Sequence, residues 1–412
     1  MDVYELVTDE DKLAIETIQS WNHGSFPDLD TMPWIQLYFK QPHHYFPVLS
    51  SSWTLNNFTD LPLILVHIMY AFTIAPYNWK QSRFHYLCCK KIQKKALRHP
   101  NPFSLFALLL MSIYALFYVD NCLEAHDQLE NVVETSMMLK IHDPTEKIHW
   151  FSPRKRKLGT ECGTNQHLTR LIWFHICQFD YQLGIWRSLE STITISPVKF
   201  NILNDSNHNS FSNLSLMNHQ NDLNNIGGEI INFLWNFEFS MLVNPNWLNM
   251  HHEQWSQLCQ FQTKLETIQY DTNNSHQFNM LKLHSLALKV ILLKPKFIYL
   301  VKISSDFQSD IIFKNIIEIC ESFYSILNQF NSDSIHILNP FEISYFCFVI
   351  GMIDIIVYKL TSAQCHYTKI KYLIGILSGI GKDFDGVKRY KIRLESMLNN
   401  QHSIEYDFSQ PF

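Results

Sequence analysis

Apolar positions recur along this chain at three- and four-residue steps, in segments near twenty residues long with few Gly or Pro between them. That spacing predicts helices over residues 31–40, 60–75, 82–98, 102–119, 121–140, 165–187, 227–241, 252–270, 278–300, 309–329, 339–360, 364–381 and 386–399. Start signals agree. Asp60-Leu61-Pro62 and Asn101-Pro102 each put a Pro at a first turn, and Pro340 precedes another apolar run. The pattern predicts an all-α fold, a large irregular helical domain with two helical halves.

Two stretches break the pattern. Residues 143–165 carry Pro, Gly and a basic cluster and read as an exposed loop. Residues 201–225, NILNDSNHNSFSNLSLMNHQNDLNN, are rich in Asn and Ser, whose side chains compete for backbone hydrogen bonds. They read as a linker. The expected organisation is an N-terminal extension over 1–30, a helical half over 31–200, an Asn/Ser-rich linker over 201–226, a second helical half over 227–400 and a tail over 401–412.

Two apolar runs raise the question of a membrane. PFSLFALLLMSIYALFYV covers residues 102–119, with Lys90, Lys91, Lys94, Lys95 and Arg98 before it and Asp120 after it. That asymmetry suits a span with its basic side in the cytoplasm. LPLILVHIMYAFTIAP at 61–76 is shorter and contains His67. A span needs about 20 apolar residues. Both runs fall at or below that length, and the mean hydropathy of the chain is −0.10. Both therefore read as buried core helices, with no membrane among the expected partners.

Composition narrows the function classes. Hydrophobic residues make up 46% of the 412 and charged residues 17%, below the ordinary share of about 25%. Such a chain folds around a large core. Glycine is scarce, at 11, and neither nucleotide-binding glycine motif occurs; Gly379-Ile380-Gly381-Lys382 comes nearest, but Asp383 follows it. The net charge of −5 argues against a polyanion binder by bulk electrostatics. Local patches stay open: residues 90–98 read as an amphipathic outer helix or as part of a surface that contacts anions. The nine cysteines include no C-x-x-C pair and form no zinc array with histidine. The acidic start, MDVYELVTDEDKL, has no apolar core and does not read as a signal peptide. Together these favour a reducing intracellular compartment.

Candidate chemistry is sparse. His43-His44 and His251-His252 are adjacent pairs, and neighbours on a helix point about 100° apart, so neither chelates as an i, i+4 pair would. His252-Glu253 begins a zinc-protease motif, but Ser256 stands where the second His belongs. No G-x-S-x-G elbow occurs. Asp120 and Glu124, and Glu130 and Glu134, are carboxylates four apart, and with Asp127 they read as a solvated helix face. No catalytic residue, cofactor or metal ligand is assigned, and the chain is not expected to be an enzyme. Arg154, Lys155, Arg156 and Lys157 form a basic run that a nuclear import receptor can read, or a plain solvated loop.

Asp180 is the exception inside HLTRLIWFHICQFDYQLGIWRSLE. Leu168, Leu171, Ile172, Ile176, Phe179, Leu183 and Trp186 form an apolar stripe, which Trp173, Phe174 and Cys177 extend around the helix. Neither Lys nor Arg lies three or four positions from Asp180. A buried carboxylate there needs partners from another segment. It reads as a structural pin in preference to an active-site acid.

Four stretches resemble the regulatory "middle homology" domain of fungal zinc-cluster transcription factors. They are IQLYFKQPHHYFPVLSSSWTLNNFTDLPLILVHIMYAFT, then SLFALLLMSIYALFYVDNCLEAHDQLENVVETSMMLKIHDP with its turn from Leu139 to His142, then TRLIWFHICQFDYQL, and residues 341–399. Arg170, Trp173, Phe174 and Asp180 match the signature helix, an Arg-x-x-Trp followed seven residues on by Asp. Several positions depart from the family pattern. Phe174 replaces a second Trp, Tyr181 replaces an Arg, Ser188-Leu189-Glu190 replaces Gly-Arg-Pro, and Lys140 stands at a turn glycine. Residues 1–87 hold no Cys, so the family's zinc cluster is missing from this stretch.

The resemblance implies an all-helical transcription regulator of the nucleus that works through a homo- or heterodimer partner or a coactivator. It would touch DNA indirectly or through a missing domain, and a small apolar effector would bind between the halves. The rival readings are a membrane-anchored helical protein, an all-helical enzyme and a structural subunit of a DNA-bound complex.

Overall fold

The computed structural model describes residues 32–40, 61–98, 100–143, 165–187, 214–235, 252–267, 275–303, 306–330, 339–382 and 384–399, with a few positions between 48 and 54. Among these the chain is all-α, with thirteen α-helices and no strand. They are α1 Met32–Lys40, α2 Leu63–Ile74, α3 Trp79–Arg98, α4 Pro102–Phe117, α5 Cys122–Met138, α6 Asn165–Arg187, α7 Leu214–Trp235, α8 His252–Thr267, α9 Ser275–Ile303, α10 Ile311–Leu327, α11 Pro340–Thr361, α12 Gln364–Ile380 and α13 Asp385–Asn399. The short 3₁₀ turn Phe307–Ser309 precedes α10.

The chain divides into two compact units, residues 1–179 with 192–194, and residues 180–191 with 195–412. The division falls inside α6, between Phe179 and Asp180.

The first unit is built from helical hairpins. α2 packs along α3, and α4 packs along α5 and against α2. Helix α4 starts where expected: Pro102 takes the first turn, and the Asn101 side chain accepts from the backbone N–H of Ser104. Every residue of α4 except Phe103 is buried, so a helix apolar all round serves as the unit's core. Its polar atoms are tied locally. Ser112 donates to the carbonyl of Ala125, and Tyr114 Oη donates at 2.5 Å to Ser82 Oγ of α3, whose own proton goes to the Ala71 carbonyl.

The second unit is organised on α11, which packs against α9, α12 and α13, while α7 and α8 lie on α9 and α10 pairs with α9. Residues 340–357 are buried without a break. Among the described residues, α11 is the one helix long and apolar enough to cross a membrane, with a mean hydropathy of 1.9, yet 83% of that stretch is buried inside the protein. α2 and α4, the two runs singled out from the sequence, are too short for that test. The burial is that of a core helix.

The linker expectation is corrected. Residues 214–226, placed in the Asn/Ser-rich linker, form the first half of α7. Tertiary contacts overrode local propensity there. Leu223 and Ile230 are buried, α7 packs on α8 and α9, and Gln220 and Asn224 join side chains one turn apart at 3.0 Å. Residues 201–213 lie outside the described residues, as do residues 144–164 of the expected exposed loop. The expected break between halves near residue 201 is replaced by the division at Phe179 and Asp180.

Candidate functional site

The signature helix α6 spans residues 165–187, as the apolar spacing predicts. Leu168, Leu171, Ile172, Trp173, Phe174, Ile176, Phe179 and Leu183 are buried, and Asp180 is 4% exposed. Arg170 is half-buried. Arg170, Trp173 and Phe174 fall in the first unit, and Asp180 opens the second. Arg154, Lys155, Arg156 and Lys157 lie outside the described residues.

The turn after α5 meets this helix within the first unit. Lys140 takes a left-handed conformation, φ 55°. Its N–H bonds to the Met137 carbonyl and that of Ile141 bonds to the Ser136 carbonyl, both at 3.0 Å. This is a Schellman cap, whose left-handed position favours glycine. The cap delivers His142 to Trp173, ring centroids 5.8 Å apart.

In the second unit a buried polar cluster surrounds His284. Gln220 Nε2 lies 3.3 Å from His284 Nδ1, and an amide N–H can only donate. Nδ1 therefore accepts, Nε2 carries the proton, and Nε2 donates to Tyr181 Oη at 3.2 Å. Burial lowers the His284 pKa to about 3, so the ring is neutral at physiological pH. Burial, then the nearby Tyr345 and Glu342, push the Tyr181 hydroxyl well above its ordinary range. Beside them Gln182 donates to the Glu342 carboxylate. Tyr181, Gln182, His284, Glu342 and Tyr345 contribute to the lining of a cavity of about 10 Å³, the size of one water molecule. Drug-sized ligands occupy clefts of about 300 Å³ or more. The cluster is thus a buried hydrogen-bonded lattice that fixes α6, α7, α9 and α11 of this unit. His284 stays neutral and Tyr181 stays protonated near pH 7.

A second polar cluster joins α10, α11 and α12. Asp354, buried in the apolar run of α11, accepts from Tyr324 Oη at 2.5 Å and from His366 Nδ1 at 2.6 Å. Burial first, then the Asp354 charge, raises the Tyr324 hydroxyl far out of reach. Lys369 lies over the Tyr324 ring, 5.2 Å from its centroid, and pairs with Glu321.

Sequence reading missed both clusters. Glu342 and Asp354 carried the same signal as Asp180, an acid inside an apolar run. Their partners are too distant in sequence to be found by spacing: 160 residues separate Gln182 from Glu342.

The first unit holds a buried histidine pair. His67 Nδ1 and His85 Nδ1 lie 2.8 Å apart, one donating and one accepting. Burial lowers the His67 pKa to about 4. Burial, then the neighbouring His67, lowers that of His85 to about 3.

The carboxylate face on α5 is partly as expected. Asp127, Glu130 and Glu134 are exposed. Glu124, however, accepts from Tyr86 Oη at 2.6 Å and pairs with Lys90 at 2.7 Å. Among the described residues, one group of three potential metal ligands gathers, His126, Asp127 and Glu130 on the exposed face of α5. Cys88, Cys89, Cys320 and Cys347 are buried, and burial pushes the Cys88 thiol up to about 11, away from reactive thiolate chemistry.

No family model matches this chain, and no curated protein matches it.

Proposed function

We propose that this chain is a helical transcription regulator that acts through protein partners, of the kind its resemblance to the fungal regulatory domain implies. The observation that carries the reading is the meeting of two resembling stretches. The turn of Leu139 to His142 packs its His142 ring on Trp173 of the signature helix. The reading is further supported at Lys140, which stands where the family pattern has a turn glycine and takes a left-handed conformation there. A position that departs in residue type thus keeps the backbone that glycine would serve.

The polar clusters fit the same reading. They link helices within the second unit with side chains that stay neutral or paired, which suits a body that holds its shape and presents surfaces. The homo- or heterodimer partner or coactivator would dock on such surfaces, and no cofactor is part of the reading.

The test is localisation of the tagged full chain. Nuclear residence is expected, and loss of it on replacing Arg154, Lys155, Arg156 and Lys157 by Ala. Residence on membranes that resists alkaline extraction would overturn the reading.

A further inference from the structure

Helix α3 has a pronounced charge pattern. Its 20 residues, WKQSRFHYLCCKKIQKKALR, include Lys80, Arg83, Lys90, Lys91, Lys94, Lys95 and Arg98 and no acid. At about 100° per residue these seven cations fall within an arc of about 140°. The opposite side holds Ser82, His85, Tyr86, Cys88, Cys89 and Ala96, all buried. α3 is therefore docked by one face on α2 and α4, and the other face is a basic stripe. From Lys80 to Arg98 it runs about 27 Å.

The stripe is not neutralised along its length. Lys90 pairs with Glu124 of α5. Lys94, Lys95 and Arg98 are exposed, and none makes an ion pair or side-chain hydrogen bond among the described residues. In a chain of net charge −5, seven cations on one face with three left unmatched are a local field of opposite sign to the whole.

We propose that this face of α3 binds the phosphodiester backbone of duplex nucleic acid. The occupant follows from charge complementarity. Cations stand at 80 and 83 and, after a two-turn gap, at each turn from 90 to 98, and about 27 Å faces about eight phosphates of one strand. The apolar residues within the arc, Phe84 and Leu87, are both half-buried, which leaves no exposed apolar side chain inside it. A repeating charge with little apolar anchorage suits a phosphate backbone better than an acidic peptide, whose affinity concentrates in buried apolar and aromatic anchors. Because the inner face of α3 is packed, the helix cannot enter a groove fully. The contact is with the backbone and independent of base sequence. The inference rests on α3 alone. DNA binding can fail while nuclear residence holds, and the reverse.

The test is fluorescence anisotropy of a labelled 20-base-pair duplex titrated with the full chain between 50 and 200 mM KCl, both experimental settings of the order used for such salt titrations. Binding that weakens with salt is expected. The variant K94Q/K95Q/R98Q should bind at least about tenfold more weakly and lower the salt slope by about 3, and R98Q alone by about 1. The control K314Q/K382Q, which removes two exposed lysines of the second unit, should bind like the natural chain. All the replaced side chains are exposed, so circular dichroism and melting should stay unchanged.

Three results overturn the proposal: no duplex binding at 50 mM salt, binding that survives the triple substitution, or binding that the control loses equally. Two rivals are measured alongside. Exposed Tyr77 and Trp79 stand at the start of α3, so vesicles of neutral and anionic phospholipid test a membrane surface, and polyglutamate tests an acidic protein. Preference for either over the duplex, through the same three cations, also overturns it.

Discussion

Lys140 holds a left-handed backbone, φ 55°, at the cap of α5. A side chain with a Cβ is disfavoured there by about 1–2 kcal/mol, and glycine is not, although glycine also gains freedom in the unfolded chain. Lys140→Gly is therefore expected to raise stability by about 1 kcal/mol in urea denaturation. A loss of stability would mean that the lysine side chain contributes more than its backbone costs. The same residue marks the limit of reading single positions. Lys140 looks like a departure from a pattern in the sequence, and its conformation shows what the position demands. Asp180, Glu342 and Asp354 were legible as acids set in apolar runs. Which groups surround Glu342 and Asp354 depended on segments that spacing cannot connect.

Helices are where the sequence was most informative. α6 covers residues 165–187 as expected, and most others differ from expectation by three residues or fewer at either end. α7 is the exception, starting at Leu214. Its polar N-terminal half lacks a long apolar stripe, and it is held by contacts with α8 and α9. Such contacts are invisible to local propensity. The junction of α10, α11 and α12 depends in the same way on Asp354. Asp354→Ala leaves the buried Tyr324 and the half-buried His366 without their shared acceptor. It is expected to cost about 1–3 kcal/mol, the range for leaving a buried hydrogen-bonding group unsatisfied. Thermal denaturation checks this, and Asp354→Asn, which can keep an acceptor, should lose less. An unchanged melting temperature in Asp354→Ala would remove the cluster from the list of restraints on these helices.

At the scale of the whole molecule, stability should depend on acid in both units. His67 and His85 in the first unit and His284 in the second are held near pKa 4, 3 and 3, below the ordinary 6.5. Between those values and 6.5 the unfolded chain binds protons that the folded chain does not, so stability falls as pH falls. It is fully present above pH 6.5 and declines by about 1.4 kcal/mol per pH unit for each such histidine. Melting temperatures measured from pH 7.5 to 4.5 should drop, and His284→Asn should flatten the curve. A flat curve in the natural chain would contradict the burial of these rings. The sequence by itself determined the all-α class, nearly every helix and the buried stripe of α6, because helical periodicity is a local property that neighbouring residues share. It also showed the run of cations over residues 90–98. Tertiary structure decided that α7 is a helix, that α11 is a core element, which acids and histidines meet, and which face of α3 is free to carry its charge. These outcomes rest on contacts between residues far apart in the chain. Burial and the desolvation of polar groups, which exist only once the helices pack, set their energies.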